Sequence, residues 1–269
     1  MSSTTKALEL LAHFSALKPE IGLSEMCRLA KRDKATTYRH LMALEAAGFV
    51  EQNHKTKGYR LGPALLQLGR LREQTVPRET GAAAPMSALS ELSGETVHVT
   101  VLSSSTIFAL LSQESPKHST RAVIDIATFP LHATASGICA LAFGPDDLFA
   151  IACEDLAPFT PTTPTTADGL RILVEDARSR GIARSNGQFE TDIHSLSSPI
   201  FDQDGAFAGA VSVASVATRF TASLEQIITE GLIQASRDIT RNWGGIIPQD
   251  IETAWSKAIA SCKEMEQTS

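Results

Sequence analysis

The chain has 269 residues, 43% of them hydrophobic and 20% charged, a balance that excludes a disordered or fibrous protein and suits two domains with a core each. The net charge of -6 conceals a division: from Met1 to Arg72 twelve Lys and Arg face six Asp and Glu, whereas the remainder holds twelve against twenty-four. A basic front on an acidic body is the footprint of a protein that lays one part on a polyanion, although a solvated basic face explains the charge alone equally well. Cys27, Cys139, Cys153 and Cys262 are scattered without a C-x-x-C pair, which argues against a disulfide framework or zinc knuckle and fits buried thiols in a reducing cytoplasm. The longest apolar stretch, GAFAGAVSVASVA, is too short and interrupted to span a bilayer. The N terminus lacks the apolar core and cleavage site of a secretory leader. A cytoplasmic protein without a membrane partner is expected.

In chain order, MSSTTKALELLAHF reads as an amphipathic helix, with Thr4 or Thr5 as its cap and Ala7, Leu11, Phe14 and Leu17 at helical spacing. After the break at Pro19 to Gly22, LSEMCRLAKR gives a second helix with a Ser24 cap and Met26, Cys27 and Ala30 inward. The third, KATTYRHLMALEAAG, buries Thr37, Leu41 and Leu44 and stops at Gly48, which accepts the left-handed conformation of a helix end. Lys34, Thr36, Arg39, His40 and Ala43 then fall on or near the opposite face, with Tyr38 at its edge. FVEQ and GYRLG flank a polar turn and read as a hairpin with His54, Lys55 and Lys57 at its tip. Together these elements make a winged helix-turn-helix, whose third helix enters the major groove of double-stranded DNA while the wing lysines meet phosphates. DNA contacts are expected at Lys34, Thr36, Thr37, Tyr38, Arg39, His40, His54, Lys55 and Lys57.

PALLQLGRLREQTVP sets Leu65, Leu68 and Leu71 on one stripe before Pro77 and reads as a linker helix, ended near Pro77 and followed by the helix that opens the next domain. From Glu95 onward the strand-like TVHVTVL, TIFALLS, RAVIDI, SLSSPIF and AFAGAVSV alternate with helix-like stretches at 136–143, 146–153, 167–180 and 221–243, the third capped by Thr166 or Asp168. In LHATASGICALAF a Thr/Ser-rich turn opens directly into a helix, so free amides near Thr134, Ala135 and Ser136 suit a carboxylate; a routine helix cap explains the same residues. Ser195 and Ser197 share one face of their strand, Leu196 and Ile200 the other. His98, His132 and His194 lack metal-ligand spacing, and no G-x-S-x-G, H-E-x-x-H or paired-carboxylate motif supports an enzyme. His98 reads instead as a hydrogen-bonded core residue. Past Gly245, Pro248 starts a tail helix with Ile251, Trp255 and Ile259 inward.

The segments KATTYRHLMALEAAGFVEQ, GYRLG, GETVHVTVL, PLHATASGICALAF, RGIARSNGQFETDIHSLSSPIFDQDGAFAGAVSV and RFT, in this order, resemble the isocitrate-lyase-regulator (IclR) family of bacterial transcription factors over roughly residues 4 to 244. The resemblance implies an α+β protein: a winged helix-turn-helix domain at 1–62, a linker helix at 63–86, a GAF-like α/β effector-binding domain at 87–245 and a tail at 246–269 beyond the usual family end. It further implies a homodimer or dimer of dimers on a near-palindromic operator, with no cofactor and no catalytic or metal-binding residue. A small effector, read as a small organic acid, would bind at Thr134, Ala135, Ser136, Gln188, Ser195, Ser197 and Ser212. Ser195 stands where some relatives hold a pocket Cys, and Ala214 where some keep a hydroxyl. Ser185, Asn186, Gly187 and Gln188 replace an acidic pair or Gly-Glu. Lys31 and Arg32 stand where the family usually has Gly and an apolar residue, so a left-handed turn there costs about 1 kcal/mol. The rival reading, a GAF-type sensor acting through protein contacts alone, leaves the basic third helix and wing without a role.

Overall fold

The computed structural model describes residues 2–15, 18–75, 77–122 and 126–266; Leu17 of the first-helix stripe and the centre of the strand expected at 121–126 lie outside them. The chain forms two compact units that divide between Pro77 and Arg78. The segment 63–86 comprises one whole helix, a break at Pro77 as expected, and the start of another helix whose Ala82 and Met86 are core residues of the second unit.

The first unit runs α1 (Ser3–Leu8), a 3-10 turn (Glu9–His13), β1 (Glu20–Ile21), α2 (Leu23–Ala30), α3 (Lys34–Ala46), β2 (Val50–Gln52), β3 (Tyr59–Leu61) and α4 (Pro63–Thr75). Its antiparallel sheet has the order β1-β3-β2, and Leu10, Ile21, Met26, Leu41, Leu44, Val50 and Tyr59 fill the core. The cap of α1 is Ser2, whose hydroxyl accepts from the Thr5 N–H at 3.1 Å, two or three residues before the expected threonines. Tightening to a three-residue period after Leu8 turns Leu10 inward, leaving Ala7 and Leu11 half-buried. Gly22, not Ser24, precedes α2, and of the three residues expected inward only Met26 is fully buried. Lys31 occupies the left-handed region at φ 51° and ψ 48°. Its N–H reaches the Arg28 carbonyl at 3.3 Å and the Arg32 N–H reaches that of Cys27 at 3.0 Å, a Schellman closure usually given to glycine. Lys31→Gly is accordingly expected to stabilise this unit by about 1 kcal/mol, measured by urea unfolding.

The second unit runs α5 (Arg78–Ser93), β4 (Thr96–Ser103), β5 (Thr106–Gln113), β6 (Thr128–Phe129), α6 (Ala135–Phe143), α7 (Asp147–Glu154), α8 (Ala167–Arg180), β7 (Ala183–Asn186), β8 (Ile193–Phe201), β9 (Phe207–Val216), α9 (Ala222–Asn242) and α10 (Gln249–Glu266). The strands form one antiparallel sheet in the order β6-β5-β4-β9-β8-β7. Alternation divides its faces. Val97, Val99, Leu196, Val211 and Val213 join residues of α5 and α9 in one core; Ile107 and Ala210 join residues of α6 and α8 in another. Thr166, rather than Asp168, caps α8. Cys27, Cys139 and Cys153 are free thiols. Among the described residues no helix is long and apolar enough to cross a membrane.

The tail helix α10 is part of the second unit's packing. Trp255 is fully buried, its indole N–H donates to the Gly181 carbonyl at 2.8 Å, and Arg237 lies 5.5 Å over the ring while bonding Glu252 at 3.0 Å. Gly181 has φ +70°, and a Cβ there would lie 2.6 Å from the indole, so glycine is required both by conformation and by the approach of Trp255. Trp255→Ala should lower the unfolding free energy of this unit by about 3–5 kcal/mol, read from chemical denaturation.

Candidate functional site

In the first unit the capping residue of α3 is Asp33, whose Oδ1 accepts the Thr36 N–H at 2.9 Å; that bond holds its carboxyl below the usual pKa. Lys34, Tyr38 and Arg39 are exposed and Thr36 half-buried, with Met42 and Ala43 continuing the same surface. Two residues expected to contact DNA are absent from this face, and one of them, Thr37, is buried as its helical spacing indicated. Thr37 is 0% exposed and donates to the Asp33 carbonyl, and His40 is 4% exposed with Nε2 hydrogen-bonded to Ser3 Oγ at 3.2 Å. At 100° per residue, positions 37, 40, 41 and 44 form one inward stripe. Burial, with the nearby charges of Arg32 and Arg39, lowers the His40 pKa.

The wing presents His54, Lys55 and Lys57, all exposed. Its turn is held from inside: Asn53 Oδ1 accepts the Lys55 N–H at 3.0 Å and the Asn53 carbonyl accepts the Lys57 N–H at 2.8 Å. Glu20 on β1 accepts from Thr56 Oγ1 and from Asn53 Nδ2, and these bonds lower its pKa. Lys34, Tyr38, Thr56 and Lys57 border one shallow groove. Arg32 and Arg60 are paired with Glu9 and Glu51, whereas Lys34, Arg39, Lys55 and Lys57 have no carboxylate partner among the described residues. This is the charge pattern that phosphate contacts need.

In the second unit a cleft of about 60 Å³ lies at the start of α6, lined by His98, Phe129, Thr134, Ala135, Ser185 and Ser195, with Glu190 and several apolar side chains around them. Thr134 caps α6: its hydroxyl accepts the Gly137 N–H at 3.0 Å and donates to the Pro130 carbonyl at 2.9 Å. Of the seven residues expected here, Thr134, Ala135 and Ser195 line the cleft. Ser136, Ser197 and Ser212 do not. They form a buried chain behind its wall, with His98 Nε2 to Ser136 Oγ 3.1 Å, Ser136 to Ser212 2.8 Å, and Ser212 donating to Ser197 at 2.7 Å. The cause is register: His98 stands opposite Ser212, and Ser212 opposite Ser197, one pleat from the row Thr96, Ala214, Ser195. Gln188 is also withdrawn, its side-chain carbonyl accepting the Asn186 N–H.

His98 and Phe129, which no motif marked, form one wall; their rings stack with centroids 5.0 Å apart. His98 is hydrogen-bonded and buried, as its strand setting suggested, yet it also borders the cleft. Burial lowers its pKa to about 3. Ser185, the other unmarked hydroxyl, donates to the Ala133 carbonyl at 2.9 Å. His132 and His194 lie elsewhere, against Phe159 and Phe220. Among the described residues no three His, Cys, Asp or Glu side chains gather as a metal site.

An exposed recognition helix beside an unpaired basic wing defines the first unit as that of a helix-turn-helix DNA-binding protein. Residues 3–54 match the IclR helix-turn-helix domain, residues 78–241 match the C-terminal domain of the bacterial transcriptional regulator IclR, and the chain belongs to the IclR family of transcriptional regulators. It is 27% identical to the HTH-type transcriptional regulator KdgR of Escherichia coli, over 90% of this chain and 94% of that protein. It is 28% identical to the glycerol operon regulatory protein of Streptomyces coelicolor over the same shares. Among solved structures, an IclR transcriptional regulator from Silicibacter sp. TM1040 superposes with a TM-score of 0.85 at 36% identity, covering 93% of this chain and 99% of that one. Pseudomonas aeruginosa HmgR gives 0.73 at 26%, covering 90% and 96%. KdgR is a transcriptional regulator and the Streptomyces protein regulates the glycerol operon, and α10 lies past the end of the family match.

The neutral His98 has a consequence for stability. Its folded pKa lies below the unfolded value of 6.5, so the unfolded chain binds the extra proton and stability falls as the pH drops from about 6.5 toward 3. Between pH 7 and 5 the loss from this residue is about 2 kcal/mol. A His98→Gln protein, which keeps a donor for Ser136 but does not titrate, should lose less stability over the same interval by that amount; parallel urea titrations at the two pH values measure it.

Proposed function

We propose that this regulator reads a near-palindromic operator as a homodimer or dimer of dimers in the cytoplasm, and that a small organic acid held in the cleft at the start of α6 modulates its binding. The reading rests above all on four cations, Lys34, Arg39, Lys55 and Lys57, that stand exposed without carboxylate partners on the helix and wing facing a duplex. Arg39 and Thr36 reach base edges; the wing lysines, with His54, neutralise phosphates. Leu68 and Leu71 on α4, each more than half exposed, with the half-buried Leu65 on the same stripe, supply an apolar surface for the second copy. At the cleft, the first amides of α6 and the helix dipole favour a carboxylate, and Thr134, Ala135 and Ser195 surround it.

Arg39→Ala should cost about 1–3 kcal/mol and relax sequence preference, whereas Lys55→Ala should weaken operator and scrambled duplexes alike. Fluorescence anisotropy on both duplexes distinguishes the roles; equal loss of preference from both variants contradicts them. The same titrations across salt should show each phosphate contact contributing about -0.9 to the log–log slope.

Effector and operator must be coupled through a difference in affinity between two arrangements of the protein, so each alters the affinity for the other by the same factor. Ser195→Leu fills the cleft. It should abolish the effector response while leaving effector-free operator binding within about a few-fold; a variant that still responds places the effector elsewhere.

A further inference from the structure

The hydrogen-bond chain behind the cleft fixes where the proton of His98 resides. Ser197 Oγ donates to the Val211 carbonyl at 3.3 Å, and Ser212 Oγ donates to Ser197 Oγ. A hydroxyl has one proton to give. Ser136 must therefore donate to Ser212, and His98 Nε2–H must donate to Ser136. Burial keeps the imidazole neutral, so Nδ1 carries a lone pair. That nitrogen is buried and has no partner, in a side chain that is 5% exposed and borders the cleft. A buried acceptor left unmatched is costly. Of the other wall hydroxyls, Thr134 and Ser185 direct their protons to the carbonyls of Pro130 and Ala133, and no hydrogen bond joins Ser195 to this nitrogen.

We propose that the ligand of this cleft is a short hydroxy acid whose hydroxyl donates to His98 Nδ1 while its carboxylate lies at the first amides of α6; the inference rests on the reading of the cleft as the effector site. An oxo group in the same place would set a second acceptor against Nδ1, and an unsubstituted acid would leave it unmatched. An ammonium group donates as well, but its charge would be buried beside a neutral imidazole stacked on Phe129, at greater desolvation cost than a hydroxyl. Glu190 is exposed at the rim, where water screens it. The small cavity favours a few-carbon acid.

Two measurements test this on the full-length protein. Long-range 1H–15N correlation spectra of the ligand-free protein should show the His98 proton on Nε2; a proton on Nδ1 overturns the proposal. Calorimetry with lactate, pyruvate, propionate and alanine, and with 3-hydroxybutyrate, acetoacetate and butyrate, should find the hydroxy member of at least one set tighter than its partners by roughly ten-fold or more. His98→Phe should reduce that preference to about two-fold or less. Equal affinity within both sets, tightest binding by an oxo or amino acid, or no binding by any member overturns the hydroxyl assignment. Binding that persists unchanged in Ser195→Leu overturns the cleft itself as the site, separately from the hydroxyl preference.

Discussion

The two-residue period of β4, β8 and β9 is the constraint on which the second unit depends. It sends Val97, Val99, Leu196, Val211 and Val213 toward α5 and α9, and by the same geometry sends His98, Ser195, Ser197, Ser212 and Ala214 toward α6. A shift of one residue in any of these pairings would exchange the two sets and place hydroxyls in an apolar core. The apolar residues on one face thus fix which side chains are turned toward α6. The cleft lies on the polar face because that is where side chains are small and where a helix begins rather than passes over.

Buried hydroxyls need partners, and here they find them in each other. The chain from His98 through Ser136 and Ser212 to Ser197 joins β4, α6, β9 and β8 by side chains alone. It makes the wall of the cleft rigid and gives its donors and acceptors fixed directions. Rigidity of this kind is what selectivity among similar small molecules requires, since a wall that can rotate its hydroxyls accepts either partner.

Much of this architecture was legible in the sequence because it follows local periods. The three-residue and four-residue spacing of Thr37, Leu41 and Leu44, the stop at Gly48, the hairpin around Asn53, the strands at 96–102 and 206–213 and the helix opening at Thr134 all depend on neighbours in the chain. His40 belonged to the same inward stripe and its polarity disguised it. What was not legible depends on distant partners. β1 is two residues long and exists through pairing with β3. The withdrawal of Ser136, Ser197 and Ser212 from the cleft is set by the register of three strands against one helix, and a serine spaced for a pocket looks identical to a serine spaced for a hydrogen-bond chain. Lys31 shows the converse: a left-handed turn held by two backbone hydrogen bonds tolerates a residue whose type argues against it.

Ser3 touches His40 from the far side of α3, and Ser2 begins the helix that carries it. The first few residues thus form a latch beneath the recognition helix, closing over a ring that has one nitrogen bonded to Ser3 and the other unpartnered. Anything that pries this latch open would wet the imidazole and loosen the seat of the helix without altering any residue on the face that meets DNA. A Ser3→Ala change would then lower operator affinity from behind the recognition helix rather than at its interface.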